Sequence, residues 1–171
     1  MLGAKVVPAF NFDQAKYILS VGADFLESWL NPVANQKGFS KSHGYLDGKG
    51  LSAKHVHIDP RMGVTGANAD EWLVSKPGQE LNILAAILKS IIKSGSSKLS
   101  PAEVEQVNGW LGSLSVEDTA KKAGLSEAAV KQMATDLLSA VPGLVVAGGA
   151  AVQGGNATQV QVAALLINKA I

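Results

Sequence analysis

Cysteine is absent from this chain of 171 residues. Its absence excludes disulfides, a cysteine nucleophile, and any thiolate-ligated zinc ion or iron–sulfur cluster within the chain. Charged residues are also scarce, because they make up 17% of the sequence against about 25% in an average globular protein. We therefore expect part of the surface to be covered by neighbouring domains or subunits.

The chain also lacks an excess of either charge and a long hydrophobic run. Lys and Arg together number 15 against 14 Asp and Glu, for a formal charge of +1, so nothing favours nucleic acid or an anionic membrane as a partner. The longest apolar stretches, 81–92 and 143–152, are well short of the ~20 residues that span a bilayer. Residues 1–5 carry no targeting signal.

Short apolar runs with glycine and proline punctuation predict a βαβ unit in the first half. A strand is predicted over 17–21, where it stops at Gly22, and a second over 55–58. Between them we predict a helix over 25–38 and a Gly- and Ser-rich insertion over 40–53. The nearly continuous apolar character of both strands is typical of parallel strands that are covered on both faces.

Helical spacing dominates the middle of the chain, and an α/β pattern returns at its end. The predicted elements are helices over 79–94, 101–111, 116–123 and 127–140, a strand over 143–147, and a helix from Asn156 to about Lys169. The predicted fold class is α/β, with a Rossmann-like, mostly parallel sheet, helices on both faces and a helical insertion in the middle. The predicted domain boundaries are 1–95, 96–141 and 142–171.

The ends of the two predicted strands are the candidate binding edge. Ligands of open parallel sheets bind beyond the carboxyl ends of the strands. Gly22 would let the backbone approach a phosphate, while Asp59 and Arg61 offer a carboxylate for hydroxyl or N–H donors and a guanidinium for phosphate. A single glycine is not a dinucleotide fingerprint. The alternative is that Gly22 only turns the chain and that Asp59-Pro60 only begins a loop.

Four segments carry a resemblance to a known family. They are FDQAKYILSVGADFLESW at 12–29, HIDPR at 57–61, TGANADEW at 65–72 and KPGQE at 76–80. In this order and spacing they resemble the third domain of the large subunits of molybdopterin oxidoreductases, the dimethyl sulfoxide reductase superfamily. The resemblance covers nearly the whole chain.

The resemblance implies a Rossmann-like domain that binds the guanosine diphosphate part of molybdopterin guanine dinucleotide. It places the 1–95 section in the cofactor-binding half and implies no catalytic residue and no metal ligand in this chain. Carried over residue by residue, the implied binding residues form three loops: Gly22, Ala23 and Asp24; Asp59, Pro60 and Arg61; and Gly78, Gln79 and Glu80.

Two of these positions depart from the family's usual residues. The family commonly has asparagine where this chain has Asp24, and aspartate where it has Glu80. An ionised Asp24 offers no donor and would repel a pyrophosphate. The 22–24 and 65–70 segments are also similar to the branch found in membrane-bound electron-transfer complexes, such as the B subunit of alternative complex III, where some members have lost the molybdenum cofactor. A cofactor-free scaffold subunit is therefore the first alternative function.

The resemblance also implies a larger parent protein. The family's iron–sulfur cysteines, molybdenum ligand and pterin domain do not occur in this sequence, so we expect a fragment of an oxidoreductase that is not active alone. The implied partners are other domains of the same large subunit and the iron–sulfur and membrane subunits of the parent complex. Any iron–sulfur cluster would lie outside this chain. The chain itself carries no localisation signal, and the resemblance is compatible with a periplasmic, membrane-associated parent.

Two further patterns have functional and structural interpretations. The 116–130 segment matches a helix-turn-helix, which makes a DNA-binding module the second alternative. The would-be recognition helix offers only Lys131 and Gln132 as evident DNA contacts. A packed helical hairpin is therefore the favoured interpretation. His55 and His57 share one face of a strand and could bind a metal, although their expected role is that of ordinary strand histidines.

A glycine-rich junction follows the last predicted strand. Gly148-Gly149 and Gly154-Gly155 could cradle a phosphate, but the lysine and hydroxyl of a P-loop are missing. A tight connection between strand and helix is the favoured interpretation.

Overall fold

The computed structural model describes residues 8–44, 53–149, 152 and 154–171. Within them four strands form one sheet in the order β3-β2-β1-β4, and every neighbouring pair is parallel. This arrangement confirms the predicted α/β class. The strands are β1 Tyr17–Val21, β2 Lys54–Ile58, β3 Glu71–Leu73 and β4 Gly143–Ala147.

Helices connect these strands and cover the sheet, after a single 3₁₀ turn at Phe12–Gln14. The helices of the described residues are α1 Pro32–His43, α2 Val64–Ala67, α3 Glu80–Lys93, α4 Pro101–Leu111, α5 Val116–Ala123, α6 Glu127–Ser139 and α7 Ala157–Ala170. None of the helices in the described ranges has the length and apolar character needed to cross a membrane.

Alternating side chains of the strands give the sheet two separate hydrophobic faces. On one face Ile18 and Val146 pack with the aromatic rings of Phe12, Phe25 and Phe39, beneath the 3₁₀ turn and α1. On the other face the intervening strand residues pack against α3, α6 and α7. Both faces of the sheet are therefore covered by helices, as predicted.

The predicted helix over 25–38 is wrong. Residues 25–30 form turns instead, in which the Asp24 carbonyl accepts hydrogen bonds from the N–H groups of Glu27, Ser28 and Trp29. The helix begins at Pro32, where the Asn31 side chain accepts the Ala34 N–H at 3.3 Å. A residue before proline is disfavoured in the α region, which favours a helix that starts at Pro32 over one continuous helix through this point.

The helix also continues past Gly38 to His43, into the predicted insertion. Gly38 allows close packing, because a Cβ atom there would lie 3.0 Å from the Cβ of Phe12. Of the predicted insertion over 40–53, residues 40–43 are therefore helical and 45–52 lie outside the described residues. The short elements α2 and β3 were not predicted, since three or four residues carry too little periodicity to be recognised.

Candidate functional site

The strand order reverses at β1, because β2 and β3 lie on one side of it and β4 on the other. Such a reversal opens a crevice at the carboxyl ends of the strands, where α/β proteins bind ligands. The Gly22 N–H donates to the Ile58 carbonyl at 2.9 Å, and the Gly148 N–H donates to the Val21 carbonyl at 3.2 Å. The loops that leave β1, β2 and β4 therefore start together.

Glycines allow the β1 and β4 loops to approach each other. Gly149 has φ 85°, and a Cβ atom on it would lie 2.5 Å from the carbonyl oxygen of Gly22. A Cβ atom on Gly148 would lie 2.8 Å from Nε1 of Trp29. The sequence interpretation of Gly148-Gly149 as a tight connection thus agrees with the geometry, but it missed that this connection lies beside Gly22.

An ion pair joins the first two predicted loops. Arg61 Nη2 lies 3.0 Å from Asp24 Oδ2, and the Asp24 side chain is 6% exposed whereas that of Arg61 is 68% exposed. The Arg61 N–H also donates to Asp59 Oδ1 at 2.7 Å. Arg61 is the only arginine of the chain. Its guanidinium therefore neutralises a buried carboxylate while most of its donors face solvent.

The third predicted loop lies apart from the other two. Gly78 has φ 77°, and its N–H donates to Glu80 Oε1 at 3.2 Å. Gln79 Oε1 accepts a hydrogen bond from Asn82 at 2.7 Å. The loop follows β3, two strands away from β1. Among the described residues no hydrogen bond or ion pair connects it to the Gly22 or Asp59 loop.

Ser20 connects the two strand histidines on the aromatic face of the sheet. Its Oγ lies 2.9 Å from His55 Nε2 and 2.6 Å from His57 Nδ1, and all three side chains are buried. His43, the third histidine, lies instead 2.9 Å from Asp70 Oδ2. Each strand histidine thus has one hydrogen-bonded ring nitrogen, as expected of an ordinary buried histidine. The second nitrogens, His55 Nδ1 and His57 Nε2, have no hydrogen-bond partner.

Burial keeps both strand histidines neutral. Burial, together with the smaller effects of the neighbouring His57 and His43, lowers the pKa of His55 to about 3. Burial also lowers the pKa of His57, although the charges of Asp59 and Glu27 act in the opposite direction. At neutral pH each ring therefore has one N–H donor and one lone pair.

His57 also belongs to a cluster that the sequence interpretation did not assemble. One ligand atom each from Asp24, His57 and Asp59 lie within 4.8 Å of one another, and all three residues are buried. The sequence carried one signal for it, because residues two apart on a strand share a face and His57 and Asp59 are so placed. The contribution of Asp24 depends on the turn after β1, which the sequence did not predict.

The helix-turn-helix pattern forms as α5, a left-handed Gly124 at φ 84°, and α6. The polar side chains of α6 that could contact DNA already interact within the helix. Lys131 lies 2.9 Å from Glu127, and Gln132 donates a hydrogen bond to Asp136 at 2.7 Å. The opposite face of α6 is buried against α3 and the sheet. This packing favours a structural hairpin over a DNA-binding module.

Comparisons with known proteins point to molybdopterin enzymes. No protein-family model matches the chain. It is 28% identical over 160 residues to the menaquinone reductase, molybdopterin-binding-like subunit of Nitratidesulfovibrio vulgaris, which covers 94% of this chain and 23% of that protein. It is also 28% identical to the arsenate respiratory reductase molybdopterin-containing subunit of Chrysiogenes arsenatis, over 78% of this chain and 18% of that protein.

A solved structure has the same fold. Acetylene hydratase from Pelobacter acetylenicus superposes with a TM-score of 0.71 at 15% identity, over 93% of this chain and 22% of that one. The chain thus spans less than a quarter of the length of each of these three proteins. The resemblance to large subunits of molybdopterin oxidoreductases is confirmed.

Proposed function

We propose that this homologue of molybdopterin-type subunits is a domain that binds the guanosine diphosphate part of molybdopterin guanine dinucleotide at the carboxyl edge of its sheet. The nucleotide would contact Gly22, Ala23 and Asp24 in the first loop and Asp59, Pro60 and Arg61 in the second. The domain would support electron transfer in a larger complex and would have no activity by itself.

The observation that carries the proposal is the meeting of the first two loops at the strand-order reversal. The two loops are 37 residues apart in sequence, yet Arg61 and Asp24 are joined at 3.0 Å. A guanidinium has five N–H donors, and the planar arrangement suits phosphate oxygens. Because the Arg61 side chain is 68% exposed, it can contact a phosphate while it still neutralises Asp24.

The β4 loop provides additional support. The Cβ positions of Gly148 and Gly149 are closely approached by Gln161, Trp29 and Gly22, so these glycines hold the β4 loop against the β1 loop. The following helix, α7, begins after Asn156, whose side chain makes no capping hydrogen bond. The Ala157 N–H donates to the Gly154 carbonyl at 3.2 Å, so an anion at this helix N-terminus would be bound by the N–H groups that follow it.

The third loop has a less direct part in the proposal. Glu80 is 2% exposed and accepts the Gly78 N–H, so it fixes the start of α3 rather than facing a ligand. Gly78 and Gln79 would bind the far end of the nucleotide, next to β3, in a loop that Glu80 holds in place. Substitution of these residues should therefore weaken binding less than substitution in the first two loops.

We also propose the domain organisation and surroundings. The 1–95 section would be the cofactor-binding half, 96–141 a helical segment, and 142–171 the returning part of the same α/β domain, which is supported by the pairing of β4 with β1. Other domains of the same subunit would cover part of its surface. Iron–sulfur and membrane subunits, with any iron–sulfur cluster held outside this chain, complete the proposed complex.

Calorimetry with GDP tests the proposal. In buffer with EDTA we expect the folded chain to bind GDP, and Arg61→Ala to reduce the affinity about tenfold or more, since a charged hydrogen bond contributes about 1.5–3 kcal/mol. Lys131→Ala removes an exposed cation from α6 and should leave the affinity unchanged. ADP should bind more weakly than GDP, because the proposed ligand is a guanine nucleotide.

Elemental analysis of the full-length protein supplies the second measurement. Molybdenum in the purified protein together with GDP binding supports the proposal. A folded protein that neither binds GDP nor contains molybdenum would contradict it and would favour the cofactor-free scaffold. Equal loss of affinity in Arg61→Ala and Lys131→Ala would move any nucleotide site away from the β1 edge.

A further inference from the structure

Three buried side chains at the carboxyl ends of β1 and β2 have the chemistry of metal ligands. Asp24 and Asp59 are 5% and 4% exposed, and His57 is completely buried. One oxygen or nitrogen of each lies within 4.8 Å of the others. Ligand atoms around a tetrahedral ion lie roughly 3.4 Å apart at bond lengths of about 2.1 Å, so the three side chains would close around a bound ion.

Two atoms of this cluster are buried without a hydrogen-bond partner. They are Asp24 Oδ1 and His57 Nε2. An unsatisfied buried polar atom costs about 1–3 kcal/mol, and nearly all such atoms in native proteins are paired with protein, water or an ion. Because the two atoms belong to neighbouring side chains of one cluster, a single bound ion would satisfy both.

The remaining atoms of the same side chains are held as the outer partners of metal ligands usually are. His57 Nδ1 lies 2.6 Å from Ser20 Oγ, which fixes the ring, while Nε2 has no hydrogen-bond partner. Asp24 Oδ2 accepts a hydrogen bond from the Arg61 guanidinium at 3.0 Å, and Asp59 Oδ1 accepts the Arg61 N–H at 2.7 Å. Each prospective ligand is thus oriented by a separate hydrogen bond.

The charge balance also favours a cation. Two buried carboxylates lie beside one guanidinium. The cluster therefore keeps an uncompensated negative charge in a buried environment, which is costly.

We propose that Asp24, His57 and Asp59 bind one divalent transition-metal ion of the Zn²⁺ type. One imidazole and two carboxylates suit Zn²⁺, which commonly takes three protein ligands and a water molecule. The inference does not depend on the proposed nucleotide function, although the two sites share Asp24 and Asp59. Calorimetry with GDP in EDTA and calorimetry with Zn²⁺ in the absence of nucleotide therefore test them separately.

Metal titration of the full chain, freed of metal with EDTA and then of EDTA, is the experiment. We expect one Zn²⁺ per chain by calorimetry, and d–d absorption bands when Co²⁺ is used in its place. His57→Gln should weaken Zn²⁺ binding about 100-fold or more, because loss of an outer partner alone costs about 10–100-fold. Folding of each variant is checked by circular dichroism.

His55→Gln is the matched control. His55 lies two residues away on the same strand, is equally buried and contacts the same Ser20, but it is not part of the cluster. Its substitution should change Zn²⁺ affinity much less than that of His57. Asp59→Asn, compared with Asp13→Asn at an exposed carboxylate, repeats the comparison without altering a histidine.

Three outcomes would overturn the proposal. They are a folded wild-type chain that does not bind Zn²⁺ stoichiometrically, equal losses in His57→Gln and His55→Gln, and equal losses in the two aspartate variants. If the ligand variants fail to fold, X-ray absorption of the Zn²⁺-loaded wild type decides, since one imidazole among oxygen ligands supports the site and any other set of ligands contradicts it.

Discussion

A buried polar atom without a hydrogen-bond partner costs free energy of folding, so it marks a side chain whose position needs an explanation. Within the part of the chain that the structure describes, these atoms belong to Tyr17, Asp24, His55, His57 and Ser75. Asp24 and His57 belong to the proposed metal site, where an unsatisfied atom has a functional interpretation, whereas His55 lies outside it. Tyr17 lies at the opposite end of β1, and its hydroxyl has no such role in the structure.

Tyr17→Phe should therefore stabilise the chain at high pH. Burial raises the pKa of Tyr17, and the charges of Asp136 and Glu71 raise it further. Above pH 10 the unfolded chain releases this proton while the folded chain keeps it, so stability falls by up to about 1.4 kcal/mol per pH unit. Tyr17→Phe removes this loss. At pH 7 its effect should be within about 1 kcal/mol, because only an unpaired hydroxyl is lost.

Urea unfolding at pH 7 and pH 11 measures this difference. Lysine titration affects both proteins equally. The informative quantity is therefore the difference in unfolding free energy between wild type and variant, and how this difference changes from pH 7 to pH 11. The Lys54 ammonium, 5.8 Å from the Tyr17 ring centroid, also remains next to an aromatic ring in the variant. An unchanged difference between the two pH values would contradict the assigned role of burial.

Local signals in the sequence decide which helices could be predicted. Helix α4 has the predicted bounds, since the Ser100 hydroxyl accepts the Glu103 N–H and the Glu103 carboxylate accepts the Ser100 N–H. The start of α1 was missed because the apolar residues of 25–30 occur at helical spacing, yet they pack over the sheet in turns. The Asn31-Pro32 signal was present in the sequence and was outweighed by that periodicity.

Asn31→Ala should destabilise the chain by about 1 kcal/mol, the usual cost of removing a side-chain cap. Asn31 accepts the Ala34 N–H at the first turn of α1. Asn11→Ala is the matched control, because Asn11 precedes the 3₁₀ turn without a side-chain capping bond. Urea unfolding at neutral pH measures both. Equal effects of the two substitutions would show that the Asn31 cap contributes nothing specific.

At the scale of the molecule, the parallel sheet was predictable and its strand order was not. Runs such as 17–21 and 143–147 identify buried strands, but the position of β4 beside β1 depends on how the helices pack. The sequence therefore predicted that Gly22 lies near Asp59 and Arg61, since these residues follow β1 and β2, which are neighbours in the sheet. It could not place Gly148 and Gly149 beside Gly22, nor bring His57 to Asp24, because both contacts arise between distant segments.

The two hydrophobic faces of one sheet should unfold together. Ile18 and Leu19 are adjacent on β1 and fully buried, but they pack into the separate cores of opposite faces. Ile18→Ala and Leu19→Ala should each cost about 2–5 kcal/mol, the usual range for such a truncation in a core. Because both cores share β1, each substitution should lower one common transition, with coincident far-ultraviolet circular dichroism and tryptophan fluorescence curves. Separate transitions, with only one affected by each variant, would mean that the α1 layer and the α3–α7 layer are independent folding units.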